Sequence, residues 1–372
     1  MVKLARHTRT RTALLQCSLI GLITVVAVLP LLALNLKETS IYLRRTDHRD
    51  IRDSAAAAIA HTVLAAPKRG PPYTLTICTI VHNEGRYLLE WVLYHYLVGI
   101  EHFFIYDNES DDGSRALLQP LIDGGLVTYL WWPGEKGNAQ GRQNEHCFNA
   151  THVASLTRWM VNFDIDEFLV VVGYTLDSRV FRQRDFLLHA YLREYEEARC
   201  GGVLLDRLPF SANGHRDPPA GLVIEEYTQR SVSVRPDVRE PHMIGKVLAS
   251  HRGFKSMHGH SFTVSPGWSA CFADQTTWNN MTIEDIKHRV YEPLRLHHYM
   301  ARSYNECIQK IEVLKVRATR NWRVQHGPDV CNRAMDGNAQ FTPSEHTTDR
   351  TLTDSILPSV VRALLPHFKQ HS

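Results

Sequence analysis

The sequence predicts an α/β fold whose central sheet is mostly parallel and doubly wound. Two observations predict it. From residue 73 to about residue 163, short apolar, β-branched runs alternate with segments of helical spacing. Polar clusters fall directly after the apolar runs, where an open parallel sheet places its ligand-binding edge. Such alternation implies right-handed crossovers through the intervening helices.

The elements follow in order. YTLTICTIV (73–81) reads as a buried strand, and GRYLLEWVLYHYLVG (85–99) as a helix with Leu88, Trp91, Tyr94 and His95 on one face. HFFIYD (102–107) is a second strand, and SRALLQPLIDGG (114–125) a short helix stopped by glycines. LVTYLWW (126–132) is a third strand, NAQGRQNEHCFNATHVASL (138–156) a weaker helix and RWMVNF (158–163) a fourth strand. Further on, 179–198 is an amphipathic helix, while GGVLLDRL (201–208) and GLVIEEYTQR (221–230) read as strands. RSYNECIQKIEVLKVRA (302–318) is helical, with Ser303 as N-cap and Glu306 three residues on. Residues 318–352 look irregular, and 355–368 is a short amphipathic segment.

The chain has 372 residues, 44% of them hydrophobic, enough for a large core. A net charge of +3 is too mild for a nucleic-acid partner. At the N-terminus, Lys3, Arg6, Arg9 and Arg11 precede an apolar run, 13–34, about as long as a bilayer-spanning helix. The expected organisation is a cytosolic tail at 1–12, a signal anchor at 13–34, a stem at 35–72, the main domain at 73–318 and a C-terminal extension at 319–372, with everything beyond the anchor lumenal. Cys17 lies in the apolar run. The other six cysteines allow up to three disulfides in 15 connectivities, although Cys78, in a core strand, also suits a buried thiol. Sequons occur at Asn108, Asn149 and Asn280.

The chemistry concentrates in WMVNFDIDEFLVV. On a strand, Asp164 and Asp166 face one side together, and two adjacent carboxylates repel unless a cation lies between them. A hard divalent ion, Mg²⁺ or Mn²⁺, that also holds substrate phosphates answers that need. The cluster YDNESDDGS, which includes Asp107 and Asp111, suits both an ordinary turn and a ribose or base contact. KSMHGHS, with Lys246 upstream, and the pair His297 and His298 each offer an imidazole to the metal sphere.

These residues resemble glycosyltransferase family 92. CTIVHNEGRYLLEWVLYHYLVGIEHFFIYDNESDDGS is similar to its opening, with N-E, then E-W-x-x-Y-H, then Y-D-N-x-S-x-D. DIDEF resembles its metal motif, FSANGH (210–215) its F-G-S-S-G-H, and LHHYMARSYNECIQK its H-Y-x-x-K-S-x-x-E-F-x-x-K. The resemblance implies a GT-A fold, a Mn²⁺-type cofactor and inverting transfer of a hexose, most often galactose, from a UDP-sugar to a glycan or polysaccharide hydroxyl. It also implies a type II protein of the Golgi membrane. Carried over, Asp164 and Asp166 hold metal and diphosphate. Asn83, Glu84 and Asp107, with Asp111, line the nucleoside pocket. Lys246 and either His258 or His260 represent the family's Lys-then-His stretch, and His260 is the expected third metal ligand. Asp206, His215, Glu225 and Glu226 flank FSANGH and are the candidate general bases. Three positions depart from the pattern: Arg207 for Trp, Ser211 for Gly and Arg302 for Lys. Two rivals use the same residues: a membrane-tethered carbohydrate-binding scaffold without turnover, and a haloacid-dehalogenase-like phosphatase. The latter is disfavoured by Phe168 where Thr or Val is usual.

Overall fold

Nine strands form one mixed sheet in the computed structural model. It describes residues 70, 72–134, 139–149, 151–174, 176, 183, 186–231, 245–258, 261–277, 292–300, 302–317, 331, 346–348, 351–352 and 357–369. The 13–34 run lies outside these residues. Among the described residues no helix is long and apolar enough to cross a membrane.

β1 (Tyr73–Val81), α1 (Gly85–Val98), β2 (His102–Asp107), α2 (Ser114–Asp123), β3 (Val127–Trp131) and β4 (Thr157–Asn162) form the alternation read from sequence. β3, β2, β1 and β4 lie side by side, all parallel. β8 (Gly245–Ser250) then runs antiparallel between β4 and β6 (Cys200–Pro209). β12 (Leu294–His298) continues parallel to β6, and β5 (Glu167–Val171) closes the edge antiparallel to β12. β11 (Ser269–Phe272) also pairs with β6. The fold is therefore α/β and mostly parallel, with β8 and β5 reversed. Because they are reversed, the start of each lies at the same edge as the carboxyl ends of the parallel strands.

The larger core lies between one sheet face and α1, α2, α5 (Leu187–Glu197) and α8 (Leu357–Lys369). Val360, Val361 and Leu364 of α8 are fully buried there, so the end of the expected C-terminal extension completes the core. The opposite face packs on a smaller cluster that includes Cys147, Phe148 and Met257. The expected single helix over 138–156 is three short pieces: α3 (Ala139–Asn144), a π-helical turn (Glu145–Asn149) and α4 (Thr151–Ser155).

GLVIEEYTQR is not a strand. It forms a one-turn helix, α6 (Val223–Glu226), before the short β7 (Gln229–Ser231). Burial of Val223 and Ile224 explains the misleading strand-like pattern, and the Glu90 carboxylate accepts both their N–H groups, at 3.1 and 3.3 Å. α7 (Tyr304–Arg317) begins as expected: Ser303 Oγ accepts from Glu306 N and donates to Glu306 Oε2. The six cysteines make three disulfides, 78–147, 200–271 and 307–331, so Cys78 is not a free thiol.

Candidate functional site

Asp164 and Asp166 lie in the turn between β4 and β5, not on a strand. Strand alternation therefore does not aim them. The turn is held from beneath: Glu167 Oε2 accepts from Asp164 N at 2.9 Å, and Asp166 O accepts from Tyr299 N at 2.8 Å. Glu167 is fully buried and faces Lys246 at 3.3 Å and Arg207 at 3.5 Å. Arg207, one of the three departures, thus supplies charge to the residue that anchors the turn.

The E-W-x-x-Y-H helix does related work. β5 ends the sheet, so its outer backbone groups need partners. Trp91 Nε1 donates to Glu167 O (2.8 Å), and Tyr94 OH donates to Leu169 O (2.7 Å). His95 Nδ1 donates to Trp91 O, leaving Nε2 to accept from Leu169 N. Burial keeps His95 neutral, with its pKa lowered to about 3. Side chains of α1 thereby cover the edge of the strand that follows the acidic pair.

Each aspartate has its own cation. Lys246 Nζ donates to Asp164 Oδ2 at 2.9 Å, and Lys310 Nζ to Asp166 Oδ2 at 2.7 Å. Gln140 donates to Asp164 Oδ1 at 3.3 Å. His298 Nε2 lies 3.6 Å from Asp166 Oδ1, too far for a hydrogen bond. Burial pushes the Asp166 carboxyl up, but Lys310 and then His298 more than offset it and hold it well below the usual range. Asp164 is likewise low: burial raises it and Lys246 outweighs that. Among the described residues, no three His, Cys, Asp or Glu side chains converge as a ready metal cage.

Arg302 closes the site from the start of α7. Its guanidinium lies 3.7 Å from the Tyr87 ring centroid and donates to Glu84 Oε2 at 3.0 Å. Its Nη1 is buried without a hydrogen-bond partner. Tyr87 OH donates to Glu306. His298, Arg302, Glu306 and Lys310 recur every four residues, and all four bear on this cluster.

Other expected residues are placed differently. Asn83 has a left-handed φ of 57° and exchanges two hydrogen bonds with Asp111. Asp107 is buried and accepts from Ser110 N, as a turn residue does. Gly85 leaves room for Asp112, whose Oδ2 accepts Gly85 N; a Cβ there would lie 2.9 Å from that oxygen. The first and second polar clusters are thus tied together, with Asn83 and Asp111 exposed, while Glu84 turns to Arg302. His260 lies outside the described residues, as does the side chain of His258. Of the candidate bases, Asp206 is buried on β6 and Glu225 pairs with Arg362 of α8. His215 sits 3.8 Å from Glu226, and its carbonyl accepts Tyr304 N at the start of α7.

Sequence reasoning missed Lys310 as a site residue and named His298 only among alternatives. Both belong to the LHHYMARSYNECIQK block, as the second of its paired His and its last Lys. That regular spacing was the available signal.

The glycosyltransferase family 92 model matches residues 72–288, more than half of the chain. A family 92 protein of Oryza sativa is 31% identical over 192 residues, covering 49% of this chain and 30% of that protein. One of Ricinus communis is 37% identical over 114 residues, covering 30% and 20%. The matched part thus spans less than a third of the length of these relatives. Among solved structures, S. aureus TarS 1–349 aligns with a TM-score of 0.28 at 10% identity, covering 80% of this chain and 72% of that one. Its complex with UDP-GlcNAc aligns at 0.27 and 9%, covering 47% and 44%. Those similarities are too slight to bear on ligand or activity. The family match stands on the sequence blocks, which the fold gathers at one sheet edge: this chain belongs to glycosyltransferase family 92.

Proposed function

We propose that this edge transfers a hexose, galactose first among candidates, from a UDP-sugar to a glycan hydroxyl with inversion, on a GT-A fold. The observation that carries the proposal is the turn Asp164-Ile165-Asp166 set between Lys246, Lys310 and His298. Two carboxylates and three basic side chains at the ligand edge suit a diphosphate and its counter-ion.

The residues fit a divalent cation. Asp166 Oδ1 is buried without a hydrogen-bond partner, and His298 Nε2 stands 3.6 Å from it. Asp164, Asp166 and His298 would offer such an ion oxygen and nitrogen ligands of the kind Mn²⁺ or Mg²⁺ accepts. Among the described residues His298 is the imidazole that fits, while His260, the ligand expected from sequence, lies outside them. The cation, when bound, supplies positive charge against the leaving diphosphate. Lys246 and Lys310, raised in pKa by Asp164 and Asp166 against the opposing effect of burial, stay charged and provide the same service from the protein. Arg302 presents its unpaired Nη1 to the same region. Of the four candidate bases, His215 is the one we assign: its Nε2 donates to Glu226 O at 3.3 Å, which leaves Nδ1 to take the acceptor hydroxyl proton.

The three disulfides support an oxidising, lumenal compartment, and with the 13–34 run a Golgi type II topology. Incubation of the protein with Mn²⁺ and a panel of UDP-sugars, with UDP release as readout, tests the activity. Release with one sugar names the donor. An Asp166→Ala protein that folds and still turns over at the wild-type rate would remove the metal–diphosphate role. Binding of glycan without UDP release from any donor would favour the scaffold.

A further inference from the structure

Beside Asp164 the sheet opens a cavity of ≈ 90 Å³. Its polar wall is Gln140 and Asn144 of α3, Asn162 of β4 and Lys246 of β8, and Val247 and Met257 provide its apolar part. At about 10–15 Å³ per water it has room for about six to nine, enough for one sugar ring. Asn162 is 5% exposed; its Nδ2 donates to Gln143 Oε1 and Asn144 Oδ1, and its Oδ1 is left without a partner. A buried, unpartnered amide oxygen is costly, and it belongs to a residue of the cavity wall.

The wall chemistry specifies the ligand. Carboxamides donate and accept in pairs, as sugar hydroxyls require, and carry no charge. The one charged lining group, Lys246, is already engaged with Asp164 and Glu167. Val247 and Met257 suit the apolar face of a pyranose. The connection to Asp164 is direct, since both Gln140 and Lys246 hydrogen-bond its carboxylate. Whatever occupies the cavity is therefore attached to, or abuts, the group held at Asp164. Asn83 and Asp111 follow β1 and β2, whereas the cavity lies between β4, β8 and α3. The acidic turn separates the two. The cavity wall is also fixed in place: Cys147, three residues after Asn144, is bonded to Cys78 of β1, and a Cβ at Gly245 would lie 1.8 Å from Leu205 O.

We infer that this amide-lined cavity is the subsite for the hexose of the donor, with Asn162, Asn144 and Gln140 selecting among sugars by their hydroxyls. The inference rests on the proposed function, and the test separates the two. Full-length protein with Mn²⁺ is titrated calorimetrically with UDP and with a panel of UDP-hexoses, then Asn162→Ala and Gln140→Ala are compared. The expected result is a five- to tenfold loss in affinity for the preferred UDP-hexose relative to UDP, the scale of one lost neutral hydrogen bond. Equal losses for UDP and UDP-hexose, or an unchanged ratio in both variants, overturn the subsite while leaving the proposed function intact. Wild-type protein that binds neither UDP nor any UDP-hexose overturns the proposed function itself, and the subsite with it. Gln140 is exposed, so Gln140→Ala carries the comparison if Asn162→Ala fails to fold.

Discussion

Glu90 gives a stability prediction that can be worked from one side chain. It is 6% exposed, on α1, and both carboxylate oxygens are spent on the N–H groups of Val223 and Ile224. Burial drives its pKa from 4.5 to about 7, against the opposing pull of the two N–H groups and Arg302; nearby Glu225 adds to the rise. A raised pKa means that the folded state holds the proton more tightly than the unfolded state. Below pH 4.5 the group is neutral in both states and costs nothing. Between about pH 4.5 and 7 folding stability falls as pH rises, and above 7 the full penalty is present. At 1.36 kcal/mol per unit that penalty is about 3 kcal/mol. Glu90→Gln is neutral at every pH but keeps only one acceptor oxygen, so one of the two N–H groups loses its partner by an amount that does not change with pH. Urea unfolding of both proteins from pH 4 to 8 should therefore show the stability difference moving by about 3 kcal/mol in favour of Gln between pH 4 and pH 8. Comparing the two proteins cancels groups such as His95 that titrate in both. If the curves stay parallel across the range, the reasoning about this carboxylate is wrong.

Three further outcomes are expected. Gly245→Ala places a Cβ 1.8 Å from Leu205 O, between paired strands β6 and β8, and should leave little soluble protein after expression. Replacing Cys78 and Cys147 together by Ala opens a bridge between residues 69 apart and should lower unfolding free energy by roughly 4 kcal/mol, measured in denaturant. Arg302→Lys keeps a charge near Glu84 but loses the planar stack on Tyr87 and the free Nη1. It should cut kcat/KM about tenfold or more, with thermal stability changed far less.

Much of this architecture was legible because β1, β2 and β4 are short runs of mostly apolar, β-branched or aromatic residues, the pattern of strands buried on both faces. The acidic pair was legible for the same reason, since charge at the end of such a run stands out. Other features were decided by contacts distant in sequence. Val223 and Ile224 look like strand residues, yet a carboxylate more than a hundred residues upstream captures their N–H groups and supports a helical turn. Strand direction is absent from a hydrophobic pattern, so nothing local says that β8 and β5 run backwards. That reversal sets His298 opposite Glu167 and beside Asp166. The E-W-x-x-Y-H residues resembled a family signature, but their work on the backbone of β5 appears only once that strand is known to be the sheet edge.

The cysteine pairing has a consequence for how the chain acquires its bonds. Of the 15 ways to join six cysteines, 78–147, 200–271 and 307–331 is the one in which every cysteine bonds the next in sequence. No ring encloses or crosses another. A chain delivered from its N-terminus can close each ring before the next pair has emerged. The correct partner is then the first one available at every step, and no wrong bond has to be undone.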